Sequence, residues 1–273
     1  MNQRKDIEKA EMSFLDHLEA LRWHLVRSAI AIIVFSIIAF LNVSFIFDTI
    51  ILAPKNVNFW TYGFLCNLSK LIFIDEALCI TEIPFKLINI DMSGQFSTHM
   101  IVSVIGGIII AFPYVFWELW SFIKPALHQN EKKYSRGIVF FTSLLFATGV
   151  LFGYYFIAPL SVNFLGSYQV SAEVANQISL TSYISTVTTI TLASGLFFEL
   201  PILVYFLSKT GIVTPAFMRQ YRKHAVVVIL IIAGIITPPD IASQILVSIP
   251  ILILYEISIF ISAFTLKKEL IKQ

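Results

Sequence analysis

Residues 194–207 read SGLFFELPILVYFL, and Glu199 is the only charged side chain among the fourteen. A carboxyl group inside an apolar run is costly in lipid unless it faces a bundle interior, a wet cavity or a partner group. Such residues serve proton relays, ion or substrate pathways, or polar contacts between helices. Pro201 follows two positions later. Proline has no backbone N–H, so the Phe197 carbonyl loses its helical donor and a kink is expected there. A free acceptor and a carboxyl group then share one apolar wall.

Other acids fall near apolar stretches. Glu118 lies six residues before Lys124 and is expected to snorkel to the membrane edge, whereas Glu256 lies eleven residues before Lys267 and is expected to sit deeper. Glu131 stands in KPALHQNEKKYSR, and Asp240 closes the turn TPPD. Enzyme chemistry has no support in the chain. It has no G-x-x-x-x-G-K-[ST] phosphate loop, no G-x-S-x-G elbow and no metal-type spacing among its five histidines and two cysteines. No enzyme activity, cofactor or metal is expected.

The elements that carry these acids are membrane helices. The 273-residue chain is 57% hydrophobic and only 13% charged, about half the roughly 25% usual in soluble domains. Its mean hydropathy is +0.82. A bilayer core about 30 Å thick needs roughly 17–25 helical residues. Five stretches meet or approach this length: 25–47, 100–123, 137–160, 182–207 and 244–266. A sixth, 225–237, stops at Pro238-Pro239 after 13 residues and needs local thinning to cross. The expected fold is all-α and polytopic, a single membrane domain over 1–273, with six helices of which the last two form a short hairpin. Sixteen of the 19 Lys and Arg residues fall in alternate connections and both tails. The positive-inside rule puts those segments, and both termini, in the cytoplasm. The first apolar stretch is expected to insert as an uncleaved anchor.

Two flanking segments add detail. In MSFLDHLEALRWHLVRS (12–28), apolar residues recur at helical spacing, and Ser13 with Asp16 makes a capping signal. An amphipathic helix over about 1–24 is expected along the interface, leading into the first span. The 48–99 connection is long and holds both cysteines, Cys66 and Cys79, on the outer side. Either a disulfide or two buried thiols fits; an oxidising outer compartment favours the disulfide. A proline followed by aromatics recurs in AFPYVFWEL, ELPILVYFL and SIPILILYEI, a weak internal echo.

Four stretches together, FLDHLEALRWHLVRS, FIKPALHQNEKKYSR, LFFELPILVYFL and TPPDIASQILVSIPILILYEI, resemble the TatC family, the multi-spanning subunit of the twin-arginine protein translocase. They stand in the family's order from residue 14 to about 260. The resemblance implies six helices in a cupped arrangement with both ends cytoplasmic in a bacterial-type inner membrane. It implies recognition of twin-arginine signal peptides on folded precursors. It also implies TatA- or TatB-type single-span partners, self-association in a larger complex, and export driven by the proton-motive force. The family's signal-binding acid falls on Glu131, and its HLEELR-like segment on 17–22, with Arg22 on the family arginine. The second glutamate of that segment is replaced by Ala20, so Glu19 alone remains. Phe122 and Pro125 match the end of the second span, Pro54 a proline after the first, and Glu199 the intramembrane glutamate. Thr237, Asp240 and Gln244 match the polar hairpin that docks partners. A guanidinium is a planar fork of donors suited to carboxylates, and two adjacent arginines need two acceptors, here Glu19 and Glu131. Glu199 is expected to face the concave interior at mid-membrane and to serve partner docking or a hydrated surface. The rival reading is a proton-coupled small-solute transporter using Glu199; the sequence shows no inverted repeat of the kind such transporters carry.

Overall fold

The computed structural model describes residues 14–71, 79–80, 82–83, 85–124, 135–171, 176–236 and 241–270. The described chain is helical apart from one small strand pair. In order it forms α1 (Phe14–Leu41), a π-helical turn (Phe45–Ile51), a 3-10 turn (Ala53–Lys55), α2 (Trp60–Leu71) and β1 (Lys86–Ile88). Next come α3 (Gly94–Ile123), α4 (Ser135–Phe152), a second π-helical turn (Gly153–Ile157), α5 (Ala158–Ser167) and β2 (Gln177–Ser179). The chain ends with α6 (Leu180–Phe197), α7 (Leu200–Lys209), α8 (Pro215–Gln220), α9 (Arg222–Ile236) and α10 (Ile241–Leu270).

Five helical stretches are long and apolar enough to cross a membrane: Leu18–Leu41, Gly94–Ile123, Gly137–Ser167, Leu180–Lys209 and Val247–Lys267. The chain is a multi-pass membrane protein. The expected sixth crossing lies in α9, which is helical but has only 15 residues. The expected interfacial segment is not a separate element where it is described: Phe14–Leu41 runs as one uninterrupted helix. The third span also outruns its expected end, since the π turn and α5 carry it on to Ser167. The strand pair departs from the all-α expectation. β1 and β2 pair in parallel, Lys86 with Gln177 through Ile88 with Ser179, and tie two connections together.

In lipid, helices associate through packing of small residues, because lipid tails are as apolar as the side chains they would replace. On α3 the residues Ser103, Gly107 and Ala111 recur every four positions and are buried. They make a small-residue stripe where α1 comes close. A Cβ at Gly107 would lie 2.6 Å from the Ser36 backbone nitrogen and 2.8 Å from its Cα. A second close approach joins α4 to α6. A Cβ at Gly149 would lie 2.7 Å from Phe198 Cβ, and one at Gly153 would lie 2.7 Å from Ser194 Cβ. The core centres on α6, with Ile184, Val187 and Ile190 packed against Ile157, Ala158, Val247 and Ile251.

Several hydroxyls in the spans are satisfied by their own helices, which avoids unpaired polar atoms in lipid. Ser36 donates to Ile32 O, Ser103 to His99 O, Thr188 to Ile184 O and Thr191 to Val187 O. Ser208 instead bonds Ser262 across α7 and α10 at 2.7 Å.

At the end of the bundle holding β1 and β2, tyrosines fasten the turns. The Tyr62 hydroxyl donates to the Pro54 carbonyl at 2.6 Å, with the Pro159 carbonyl at 3.1 Å. Burial holds the Tyr62 phenol well above its ordinary pKa, so it stays a donor. Pro54 thus anchors the turn after α1. Tyr183 donates to Ile51 O at 2.8 Å and Tyr154 to Ile50 O at 2.7 Å. A disulfide joins Cys66 to Cys79 across a separation of 13 residues. Closing a loop of that length restricts the unfolded chain by about 3 kcal/mol. Replacing both cysteines by serine should lower unfolding stability by that order. Intact-mass measurement without reductant should find the parent two hydrogens lighter than its reduced form. An unchanged unfolding midpoint in the double variant would show that the bond adds nothing.

Candidate functional site

The first group of candidate residues lies at the opposite end of the bundle, where α1 begins and α3 finishes; this end is called the rim. Glu19 and Arg22 are one turn apart on α1 and form a 3.5 Å ion pair, both about two-thirds exposed. Arg22 also lies 5.8 Å from the centre of the Trp23 ring. An exposed pair of this kind is weakly held, so Glu19 can exchange Arg22 for another guanidinium. Phe122, in the last turn of α3, sets its ring edge-on to His24 of α1, with centroids 6.1 Å apart. The structure therefore brings together the α1 segment and the end of α3. Pro125 and Glu131 lie outside the described residues.

Glu118 does not snorkel. It is 3% exposed, and it lies between His24 Nδ1, 2.5 Å from Oε2, and the Tyr114 hydroxyl, which donates to Oε1 at 2.8 Å. The snorkelling expectation fails because α1 supplies a polar partner inside the helix pair, so the carboxylate need not reach water. Sequence reasoning left His24 and Tyr114 unassigned.

Glu199 sits at a break in its span. α6 ends at Phe197 and α7 begins at Leu200, rather than the one helix over 182–207 that was expected. The Glu199 amide donates to Leu196 O at 3.1 Å, and its carbonyl accepts from both Ile202 and Leu203 at 3.0 Å. Pro201 is the second residue of α7, in the first turn, where a missing N–H costs nothing. Pro113 and Pro250, which gave the same sequence signal, lie inside continuous helices. Nothing in the structure explains why only the middle one breaks.

Both Glu199 carboxylate oxygens are buried with no well-formed hydrogen bond among the described residues, the Phe146 backbone being the polar group within reach, and Thr142 Oγ1 is buried without a partner. Glu199 and Thr142 share a level. α4 and α6 run antiparallel, with Gly149 against Ser194 and Phe198 and with Gly195 against Phe146 and Val150. One turn before Phe146 on α4 is Thr142, and one turn after Gly195 is Glu199. A cavity of about 600 Å³ between α1, α3, α4 and α6 is lined by Ala39, Ile105, Val150, Tyr154 and Thr191 among others. Glu199 is not among its lining residues.

The α9–α10 hairpin holds the third group. The Gln244 amide donates to Leu230 O at 2.9 Å, which fastens α10 to α9. Thr237 and Asp240 lie outside the described residues. At the other end of α9, Arg222 donates to Glu256 Oε2 of α10 at 2.7 Å, and Tyr255 donates to Met218 O at 2.9 Å. The hairpin is thus pinned near both ends.

The model of the family described as Sec-independent protein translocase protein (TatC) matches residues 16–250. The chain belongs to the TatC family. It is 41% identical over 263 residues to the TatC protein of Blattabacterium sp. subsp. Periplaneta americana, covering 96% of this chain and 99% of that protein. It is 34% identical over 265 residues to TatC of Carboxydothermus hydrogenoformans, covering 96% and 98%. A crystal structure described as the twin arginine translocase receptor TatC superposes with a TM-score of 0.71 at 32% identity, covering 91% of this chain and 99% of that one. A second, described as the same receptor in DDM, gives 0.70 at 33% identity, covering 89% and 98%. The TatC relatives are named as components of a protein translocase, a transport function rather than catalysis.

Proposed function

We propose that this TatC-family chain recognises twin-arginine signal peptides at its rim and, within a Tat complex, exports folded proteins across a bacterial-type inner membrane. The observation that carries the reading is the exposed, weakly paired Glu19 on the same end of the bundle as the His24–Phe122 contact, on a fold that follows a structure described as a twin-arginine translocase receptor along nearly its whole length. The rim then faces the cytoplasm, as do both termini. α9 is the sixth crossing, short enough to require a thinned bilayer. Glu131 and Glu19 supply the acceptors for the two arginines, with Phe122 and Pro125 shaping the groove beside them. Small TatA- or TatB-type partners dock at Thr237, Asp240 and Gln244. The proton-motive force drives transport, and the chain needs no phosphate loop of its own.

Binding of an Arg-Arg signal peptide, compared with its Lys-Lys variant, tests the reading. A charge-assisted hydrogen bond is worth about 1.5–3 kcal/mol, so Glu131→Ala should weaken the Arg-Arg peptide about tenfold or more. The Lys-Lys peptide should lose less, because lysine does not make the forked contact. Equal affinity of parent and Glu131→Ala for the Arg-Arg peptide would remove Glu131 from the site.

A further inference from the structure

One buried polar cluster has no part in the contact described above. His24 Nδ1 lies 2.5 Å from Glu118 Oε2, and the Tyr114 hydroxyl donates to Glu118 Oε1 at 2.8 Å. Arg27, one turn along α1 from His24, lies within electrostatic reach of the same carboxylate. Glu118 is 3% exposed, and both of its oxygens are engaged.

This cluster is not needed to hold α1 and α3 together. The two helices are already in close contact at Gly107 and Ser36. Beyond that point His99 lies 3.0 Å from the Phe40 carbonyl, with its ring stacked on Phe40 at 3.9 Å. An apolar pair at 24 and 118 would adhere well in lipid without the cost of burying a carboxylate. A hydrogen-bonded pair does something an apolar pair does not: it admits one register and one rotation.

What it would set is the rim. Glu19 precedes His24 by five residues, about 7.5 Å of helix, and Phe122 follows Glu118 by four, about 6 Å. Because α1 and α3 are antiparallel, both lie on the same side of the cluster, towards the rim. We propose that His24, Glu118 and Tyr114 are positioning residues, which fix the Glu19 and Arg22 turn of α1 against Phe122 and so set signal-peptide affinity without touching the peptide. The affinity half rests on the function proposed above; the positioning half does not.

The experiment uses the full chain in detergent with three variants, Glu118→Leu, Glu118→Gln and His24→Leu. It reads Arg-Arg peptide affinity, the unfolding midpoint, and the spin-label distance between Leu18→Cys and Leu119→Cys. Glutamine can accept from Tyr114 and donate to His24 Nδ1, so Glu118→Gln should keep a narrow distance distribution and near-parent affinity. Glu118→Leu and His24→Leu should broaden the distribution and weaken the peptide about tenfold, the equivalent of one misplaced hydrogen bond. Their unfolding midpoints should stay near the parent value. An unchanged distribution in Glu118→Leu would overturn the positioning role. So would a loss of midpoint and affinity together that Glu118→Gln fails to rescue, since that is the signature of general structural damage. If the parent does not distinguish Arg-Arg from Lys-Lys peptides, the proposed function and the affinity half fall, while the label distances still decide positioning.

Discussion

Replacing Gly107 by valine is expected to destabilise the protein by about 3 kcal/mol or more, among the larger costs of overpacking a tight contact. The first added carbon alone would lie 2.6 Å from the Ser36 backbone nitrogen and 2.8 Å from its Cα. Backbone cannot rotate away as a side chain can, so α1 and α3 must separate. Separation forfeits packing, which is the main force holding helices together in lipid. It also opens the His24–Glu118 contact and swings the rim. Because the obstruction is backbone, Ser36→Gly should not rescue the variant. Gly137→Ala is the matched control: nothing lies within 4 Å of a Cβ at Gly137, and it sits in α4. There alanine replaces a poor helix former in open space and should be neutral or stabilising by up to about 1 kcal/mol. Unfolding midpoints in mild detergent decide it. A Gly107→Val midpoint within a degree of the parent would mean that α1 and α3 are not held by this contact.

How far the sequence revealed this architecture differs from element to element. The long spans were legible because a bilayer demands a run of apolar residues, and 100–123 and 244–266 fall inside α3 and α10. α9 was legible as a short helix for the same reason, since Pro238-Pro239 caps its length. The break in the fourth span was only half legible. Pro201 marks a place where a helix can break, yet Pro113 and Pro250 carry the same mark inside unbroken helices. Hydropathy and the proline mark are alike in all three, so neither separates the broken span from the unbroken ones. Glu118 shows the limit most clearly. Its distance from Lys124 argued for snorkelling, but its partner His24 is 94 positions away in the chain. No local pattern links the two. Thr142 was silent for a similar reason: a threonine in an apolar helix ordinarily bonds its own preceding turn, and only the structure shows that this one does not. Of the rim, the sequence supplied Glu19, Arg22 and Phe122 as separate motif positions, and the fold joined their two helices there through the contact of His24 with Phe122.

Glu199→Ala is expected to lower export about tenfold while leaving Arg-Arg peptide affinity at the parent value, and Glu199→Gln is expected to retain most export. The carboxyl lies at a helix break, with both oxygens buried and without a well-formed hydrogen bond among the described residues. An orphaned buried polar group costs about 1–3 kcal/mol, so removing it alone should not harm folding. If Glu199 serves partner docking, it offers a hydrogen bond to the group that arrives, and the Thr142 hydroxyl, itself unpartnered, stands near the same level of the neighbouring helix. Two such groups suit a polar side chain of a partner helix, or water drawn in beside it. Glutamine preserves hydrogen bonding but cannot carry a transferable proton, which is why it separates docking from proton transfer. Loss of export in the alanine variant should coincide with loss of cross-links to a single-span partner. Export lost equally in Glu199→Gln and Glu199→Ala, with partner cross-links intact, would instead make Glu199 a proton-transfer site and support the coupled-transporter reading of this residue. Peptide affinity separates both outcomes from damage to the rim. Glu199 lies ten residues before Lys209 on its span, about 15 Å of helix away, whereas Phe122 ends a different helix, so a change confined to Glu199 should leave the proposed recognition contact untouched.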